Sequence, residues 1–145
     1  MEMLTLSHVT KRFGEKQVLR DVTFSVPEHT VFGFVGQNGA GKTTAMKLIL
    51  GLLQRDGGAI FVNGMPVHYG STATNQFVGY LPDVPEFYSY MTAPEYLRFC
   101  GELFGMSEKE IKIRSEELLH LVGLEKEKHR IKGFSRGMKQ RLGVA

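Results

Sequence analysis

Apolar and polar residues alternate near the start of the chain. Leu4, Leu6 and His8 alternate with Thr5, Ser7 and Val9, and Val18, Val22, Phe24 and Val26 recur before Pro27. This period of two predicts a pair of antiparallel strands joined by a hairpin around Phe13 and Gly14. Val31 to Val35 is instead a short continuous apolar run, the pattern of a strand buried on both faces, and it leads into a glycine-rich segment. The spacing then becomes helical, with Met46, Leu48, Ile49, Leu52 and Leu53 on one packed side. Ala59 to Val62 reads as a strand, Asn63 and Gly64 as a tight hairpin turn, and Phe77 to Leu81 as a further buried strand ending at Pro82.

Beyond Pro85 the pattern is helical. Thr92 and Glu95 form a capping box with Pro94 at the first helical position, opening a helix through Phe104. Ser107 and Glu110 repeat the box and open a second helix that runs to about Val122 and stops at Gly123. A last helix begins at Ser135, with Met138, Leu142 and Ala145 three to four residues apart, and the chain ends there without a cap. The expected fold is therefore α/β: an antiparallel hairpin and a mixed core first, a helical subdomain second, incomplete at the C-terminus.

Composition bounds this picture without changing it. The chain has 145 residues, 42% hydrophobic and 23% charged, which suits one soluble domain or part of one. No apolar run approaches the roughly 18 residues needed to span a bilayer; the longest, Leu48 to Leu53, is interrupted by Gly51. The N-terminus lacks the basic and apolar regions of a signal peptide, and the single Cys100 can make no internal disulfide, so a cytoplasmic setting is expected. The net charge of +3 is uneven: residues 108–141 hold ten Lys/Arg against six Glu. A basic end suits nucleic acid, lipid headgroups or nucleotide phosphates, but the interleaved acids equally suit a solvated helical face.

Candidate chemistry begins at Gly36. Gly36, Gly41, Lys42 and Thr43 satisfy G-x-x-x-x-G-K-[ST] between an apolar run and a helix, the context in which this loop cradles phosphates. Glycines, including Gly39, permit positive backbone dihedrals, so successive N–H groups turn inward at a helix N-terminus. Lys42 is then placed for the β and γ phosphates, the Thr43 hydroxyl for Mg²⁺, and Thr44 for the α phosphate. The ligand is a nucleoside triphosphate with magnesium, most simply ATP.

The residues around this loop resemble one family. Gly36, Gln37, Asn38, Gly39, Ala40, Gly41, Lys42, Thr43 and Thr44 are similar to the Walker A of ATP-binding cassette (ABC) ATPases, and Phe134 to Arg141 (FSRGMKQR) resembles their signature, commonly LSGGQ. Ser135 reads as a helix N-cap with Gly137 in the first turn, a second anion site. The resemblance implies that Ser135, Arg136, Gly137 and Met138 close on ATP held by an opposite subunit, that adenine stacks on Phe13, and that Val18 is the apolar contact beside it. It also implies a permease hinge at GYLPDVP, where most members carry a magnesium-contacting Gln and this chain has Asp83. A carboxylate is a harder ligand with a shorter reach, so Asp83 is a candidate for magnesium; an ordinary turn residue is the other reading.

In that family, hydrolysis requires an acidic strand beyond the signature, a catalytic Glu and a switch His. No four-residue apolar run ending in Asp-Glu occurs here, and His8, His29, His68, His120 and His129 all precede the end of the signature. The resemblance thus implies the N-terminal part of a bacterial export-type ABC ATPase subunit: residues 1–86 as β subdomain and P-loop core, 87–134 as helical subdomain, 135–145 as the start of the signature helix. Expected partners are a membrane permease and a second ATP-binding subunit, with no nucleic acid, at the inner face of the membrane. ATP binding without appreciable hydrolysis, and no catalytic residue, is expected of these 145 residues. Two alternatives stay open: a small kinase using Asp83 for magnesium, opposed by Pro82, which breaks the strand before the acid, and a nucleotide-binding module without turnover.

Overall fold

The first hairpin forms, and it is longer than its alternation suggests. In the computed structural model, which describes all residues from Met1 to Ala145, β1 spans Glu2–Phe13 and β2 spans Lys16–Pro27, paired antiparallel from Glu2↔Pro27 to Phe13↔Lys16. Strict alternation would put His8 on the core face with Leu4 and Leu6. Instead His8 takes φ 52° and faces solvent, and the buried residues are Leu6 and Val9. The register shifts between Leu6 and Val9, opposite Thr23, and again between Val9 and Lys11, where Asp21 on β2 also has φ 52°. A bulge at His8 therefore resets which face is buried. The His8 amide donates to Thr23 Oγ1 at 2.9 Å, and the ring Nδ1 meets Asp21 Oδ1 at 2.6 Å.

Helix α1 (Lys42–Ile49) follows the glycine loop, and β3 (Gly57–Val62) and β4 (Met65–Pro66) complete a four-stranded antiparallel sheet in the order β2-β1-β3-β4. Asn63 and Gly64, at φ 49° and 72°, make the expected tight turn between β3 and β4. Leu6, Val9, Leu19, Ala45, Leu48, Ile60, Val62 and Val67 form one buried cluster, so α1 docks on the sheet through Ala45 and Leu48. Met46 and Leu52, expected on the packed side, are exposed: α1 ends at Ile49 and the chain turns at Gly51 (φ 69°), which carries Leu52 past the helix.

Two expected strands do not form. Residues 31–37 carry no ladder; Val31 is fully exposed and Val35 is 91% exposed, although Phe34 packs on the core and Phe32 stacks on Phe24 at 5.2 Å. Residues 78–81 likewise pair with nothing, after a short 3₁₀ turn at Asn75–Phe77. A run buried on both faces needs a strand on each edge and a layer on each face, and the antiparallel sheet built by residues 2–66 offers these runs neither.

Contacts group the chain into two units, Met1–Gly79 and Tyr80–Ala145. The second is helical. α2 (Ala93–Leu103) and α3 (Glu108–Leu121) each open on the capping box read from the sequence: Thr92 and Ser107 accept from the Glu95 and Glu110 amides, and both Glu side chains reach back to the cap amides. Pro94 is the second helical residue, one later than expected, because Ala93 already lies inside α2. α4 (Arg136–Val144) closes the unit, and Ala93, Leu119, Leu124, Ile131, Phe134 and Leu142 make its core. Arg141 of α4 donates to the Val122 and Gly123 carbonyls at 2.9 and 3.2 Å, satisfying the end of α3.

Candidate functional site

The glycine loop, residues 36–41, ends at the first turn of α1. Gly39 and Gly41 take φ 84° and 93°, values open to glycine at little cost. At Gly41 space is limiting as well, because a Cβ there would lie 2.7 Å from Leu19 Cδ2 and 3.1 Å from Val18 Cγ1. β2 thus bears directly on the last residue of the loop. The first bond outside the loop runs from Ala45 N to Gly41 O at 2.8 Å, which leaves the amides of Lys42, Thr43 and Thr44 ahead of it without intrahelical acceptors. No side chain caps α1, and its first turn holds no acid. The open amides and the positive end of the helix dipole therefore point outward together, as an anion site requires.

Lys42 folds back over this loop. Its ammonium donates to the Gly36 and Gln37 carbonyls, the latter at 2.7 Å, and the Ala40 amide closes the turn onto the Gln37 carbonyl at 3.1 Å. A cavity of about 320 Å³ opens here, lined by Lys16 and Val18 of β2, Asn38 and Gly39 of the loop, and Gly41 to Thr44. Val18, expected as the apolar contact beside Phe13, lines this cavity next to the loop. Phe13 is not in the lining; it sits 49% exposed at the end of β1, opposite Lys16, which is. Lys16 went unread in the sequence, although its place directly after the hairpin turn was a usable signal.

In the helical unit, Ser135 is the N-cap of α4, and its hydroxyl accepts from the Met138 amide at 3.2 Å. Ser135, Arg136 and Gly137 are exposed, while Met138 is half-buried against the helical core. Asp83 lies beside this turn: its carboxylate accepts from Arg136 at 3.2 Å, both side chains well exposed. Asp83 does not end a strand, so the resemblance to an acidic strand terminus that supported the kinase alternative has no counterpart in the fold. No group of three or more His, Cys, Asp or Glu is arranged to hold a metal, and no helix is long and apolar enough to cross a membrane.

The family model for ABC transporter matches residues 19–145, which takes in the glycine loop, the Asp83 segment and the Ser135 turn. The chain belongs to the ABC transporter family. Among curated relatives, this ABC transporter chain is 40% identical over 144 residues to the uncharacterized ABC transporter ATP-binding protein YxlF of Bacillus subtilis, covering 99% of this chain and 47% of that protein. It is 36% identical over 143 residues to the linearmycin resistance ATP-binding protein LnrL of the same species, covering 98% and 46%. A solved ATP-binding subunit of an ABC transporter superposes with a TM-score of 0.83 at 34% identity, over 98% of this chain and 60% of that one. The ABC transporter chain spans about half the length of the curated relatives it matches. Membership of this family replaces the kinase alternative and accounts for the α/β fold.

Proposed function

We propose that this chain provides the ATP-binding half-site of an ABC transporter ATPase subunit, in which ATP binding and hydrolysis drive a separate membrane permease. The observation that carries the proposal is the glycine loop itself. Its free amides, the Lys42 ammonium and the Thr43 hydroxyl surround one cavity at an uncapped helix N-terminus.

These residues fit magnesium and a triphosphate. The Lys42 ammonium, held by two carbonyls, is a cation already in the loop and free to exchange those neutral acceptors for phosphate oxygens, which bind it more strongly. The amides of Gly39 and Gly41 to Thr44 orient the phosphate chain, Thr43 holds the metal, Thr44 turns toward the α phosphate, and Gln37, Asn38 and Ala40 shape the turn. Magnesium, when bound, neutralises charge shared by the terminal phosphates. Asp83 is a candidate magnesium ligand whose carboxylate is here paired with Arg136. Phe13 and Val18 bind the adenine. Ser135, Arg136, Gly137 and Met138 complete the site of a second subunit in a homo- or heterodimer held against the permease at the inner membrane face. The relative named for linearmycin resistance supports an export role.

These 145 residues bind MgATP weakly and turn it over negligibly, because the acidic strand, catalytic Glu and switch His that the family resemblance calls for are not among them. Lys42→Ala is expected to weaken ATP binding by about 10- to 100-fold, the loss of one charge-assisted contact to phosphate, without changing the circular dichroism spectrum. A malachite-green assay showing magnesium-dependent phosphate release that disappears in Lys42→Ala would refute the absence of turnover. An unchanged ATP affinity in that variant would refute the loop as the binding site.

A further inference from the structure

The end of β1 carries a network that the phosphate loop does not use. Lys11 has its ammonium over the Phe13 ring, 5.3 Å from the centroid, and the same ammonium donates to Asp56 Oδ1 at 3.0 Å. Although Lys11 is charged, its side chain is only 12% exposed. Asp56 does more than neutralise it. The other carboxylate oxygen accepts from the Arg12 amide at 2.6 Å, and the Asp56 amide donates to the Thr10 carbonyl at 3.0 Å, so one residue ahead of β3 grips three consecutive residues of β1. The register with β2 shifts on both sides of Lys11. Irregularities of this kind re-aim side chains, and here Lys11 is aimed along the strand at Phe13.

Resting on the reading of Phe13 as the adenine platform, we propose that Lys11 and Asp56 are positioning residues for base binding: Asp56 fixes the Lys11 ammonium over one face of Phe13 and leaves the other face for the purine. The cation covers one π face and holds the ring in place. It also draws on the ring's negative quadrupole, which favours stacking of an electron-rich base on the open face. Asp56 makes this possible by keeping a poorly exposed ammonium paired; without it Lys11 turns to water and the ring loses its backing. Hydrogen bonds from the Arg12 amide first, and from Lys11 second, hold the Asp56 carboxyl below its ordinary range, so it stays charged wherever the protein is folded near neutrality.

The test compares two ligands that share phosphates but not a base, MgATP and magnesium tripolyphosphate, by calorimetry on the 145-residue chain. Lys11→Met and Asp56→Asn are expected to weaken ATP binding about three- to fivefold and to leave tripolyphosphate within about twofold, the size of one partly exposed cation–π contact. Asn retains an acceptor for the Arg12 amide, so Asp56→Asn separates the lost charge from a lost turn. Lys11→Arg, which keeps a cation over the ring, is expected to bind ATP as the parent does. Phe13→Ala reports on the platform reading by itself. If Phe13→Ala lowers ATP affinity selectively while Lys11→Met and Asp56→Asn shift both ligands equally or neither, the positioning role is overturned and the platform stands. If Phe13→Ala leaves the ratio of the two affinities unchanged, the platform reading fails and the positioning role fails with it.

Discussion

Gly41 shows how much one position can be asked to do. It is the N-cap of α1, it holds φ 93°, and it lies where any Cβ would collide with Leu19. Gly41→Ala is therefore expected to cost about 1–3 kcal/mol in urea denaturation, from backbone strain alone before the collision is counted. Its conformation was legible in the sequence because the motif is local: glycine, lysine and hydroxyl are consecutive, and their spacing is fixed by the helix they open. The Lys11–Asp56 pair was not legible, since its members are 45 residues apart and meet only because β1 pairs with β3. Asp83 lies between these cases: its side chain was read as a magnesium candidate, and the fold places it against Arg136, 53 residues later.

Helix starts were legible for the same reason as the motif, because a capping box is settled within four residues. Glu95 is held below its ordinary value of 4.5 by the Thr92 amide and then its hydroxyl, and Glu110 by the Ser107 hydroxyl and then its amide. Folding thus favours their charged forms. The stability they add is fully present above 4.5 and is lost as pH falls through their lowered folded values. The combined Glu95→Gln and Glu110→Gln variant is expected to lower the thermal midpoint at neutral pH and to flatten its acid dependence, followed by far-ultraviolet circular dichroism. Ser135→Ala removes the cap of α4 and is expected to cost about 1 kcal/mol in the helical unit. Strands were less legible. The alternation at Leu4, Leu6 and His8 could not reveal a bulge that transfers burial to Val9, and Val31 to Val35 reads as buried only when neighbours exist to bury it.

For the molecule as a whole, that second failure has a consequence. Val31 and Val35 leave apolar side chains in water beside backbone groups that no ladder satisfies, the features that invite pairing with another chain. The 145-residue chain is therefore expected to self-associate as its concentration rises, measured by light scattering. Val31→Glu with Val35→Lys is expected to suppress this without lowering the unfolding midpoint, because neither side chain contributes to the core. If association is unchanged in that variant, another surface drives it. Fold class and family, by contrast, needed no such pairing to be recognised, because the loop, the caps and the signature turn each carry their information over a few residues.

One strand links the two ends of the proposed nucleotide site. β2 begins at Lys16, opposite Phe13, and three residues later Leu19 presses on Gly41 at the root of the phosphate loop. Three residues of strand span roughly 10 Å at most; a register shift opposite Lys11 and Arg12 falls inside the interval, and the pairing around it still resists stretching better than a loop does. β2 therefore acts as a caliper for the proposed site: a ligand gripped at both ends is held to one length.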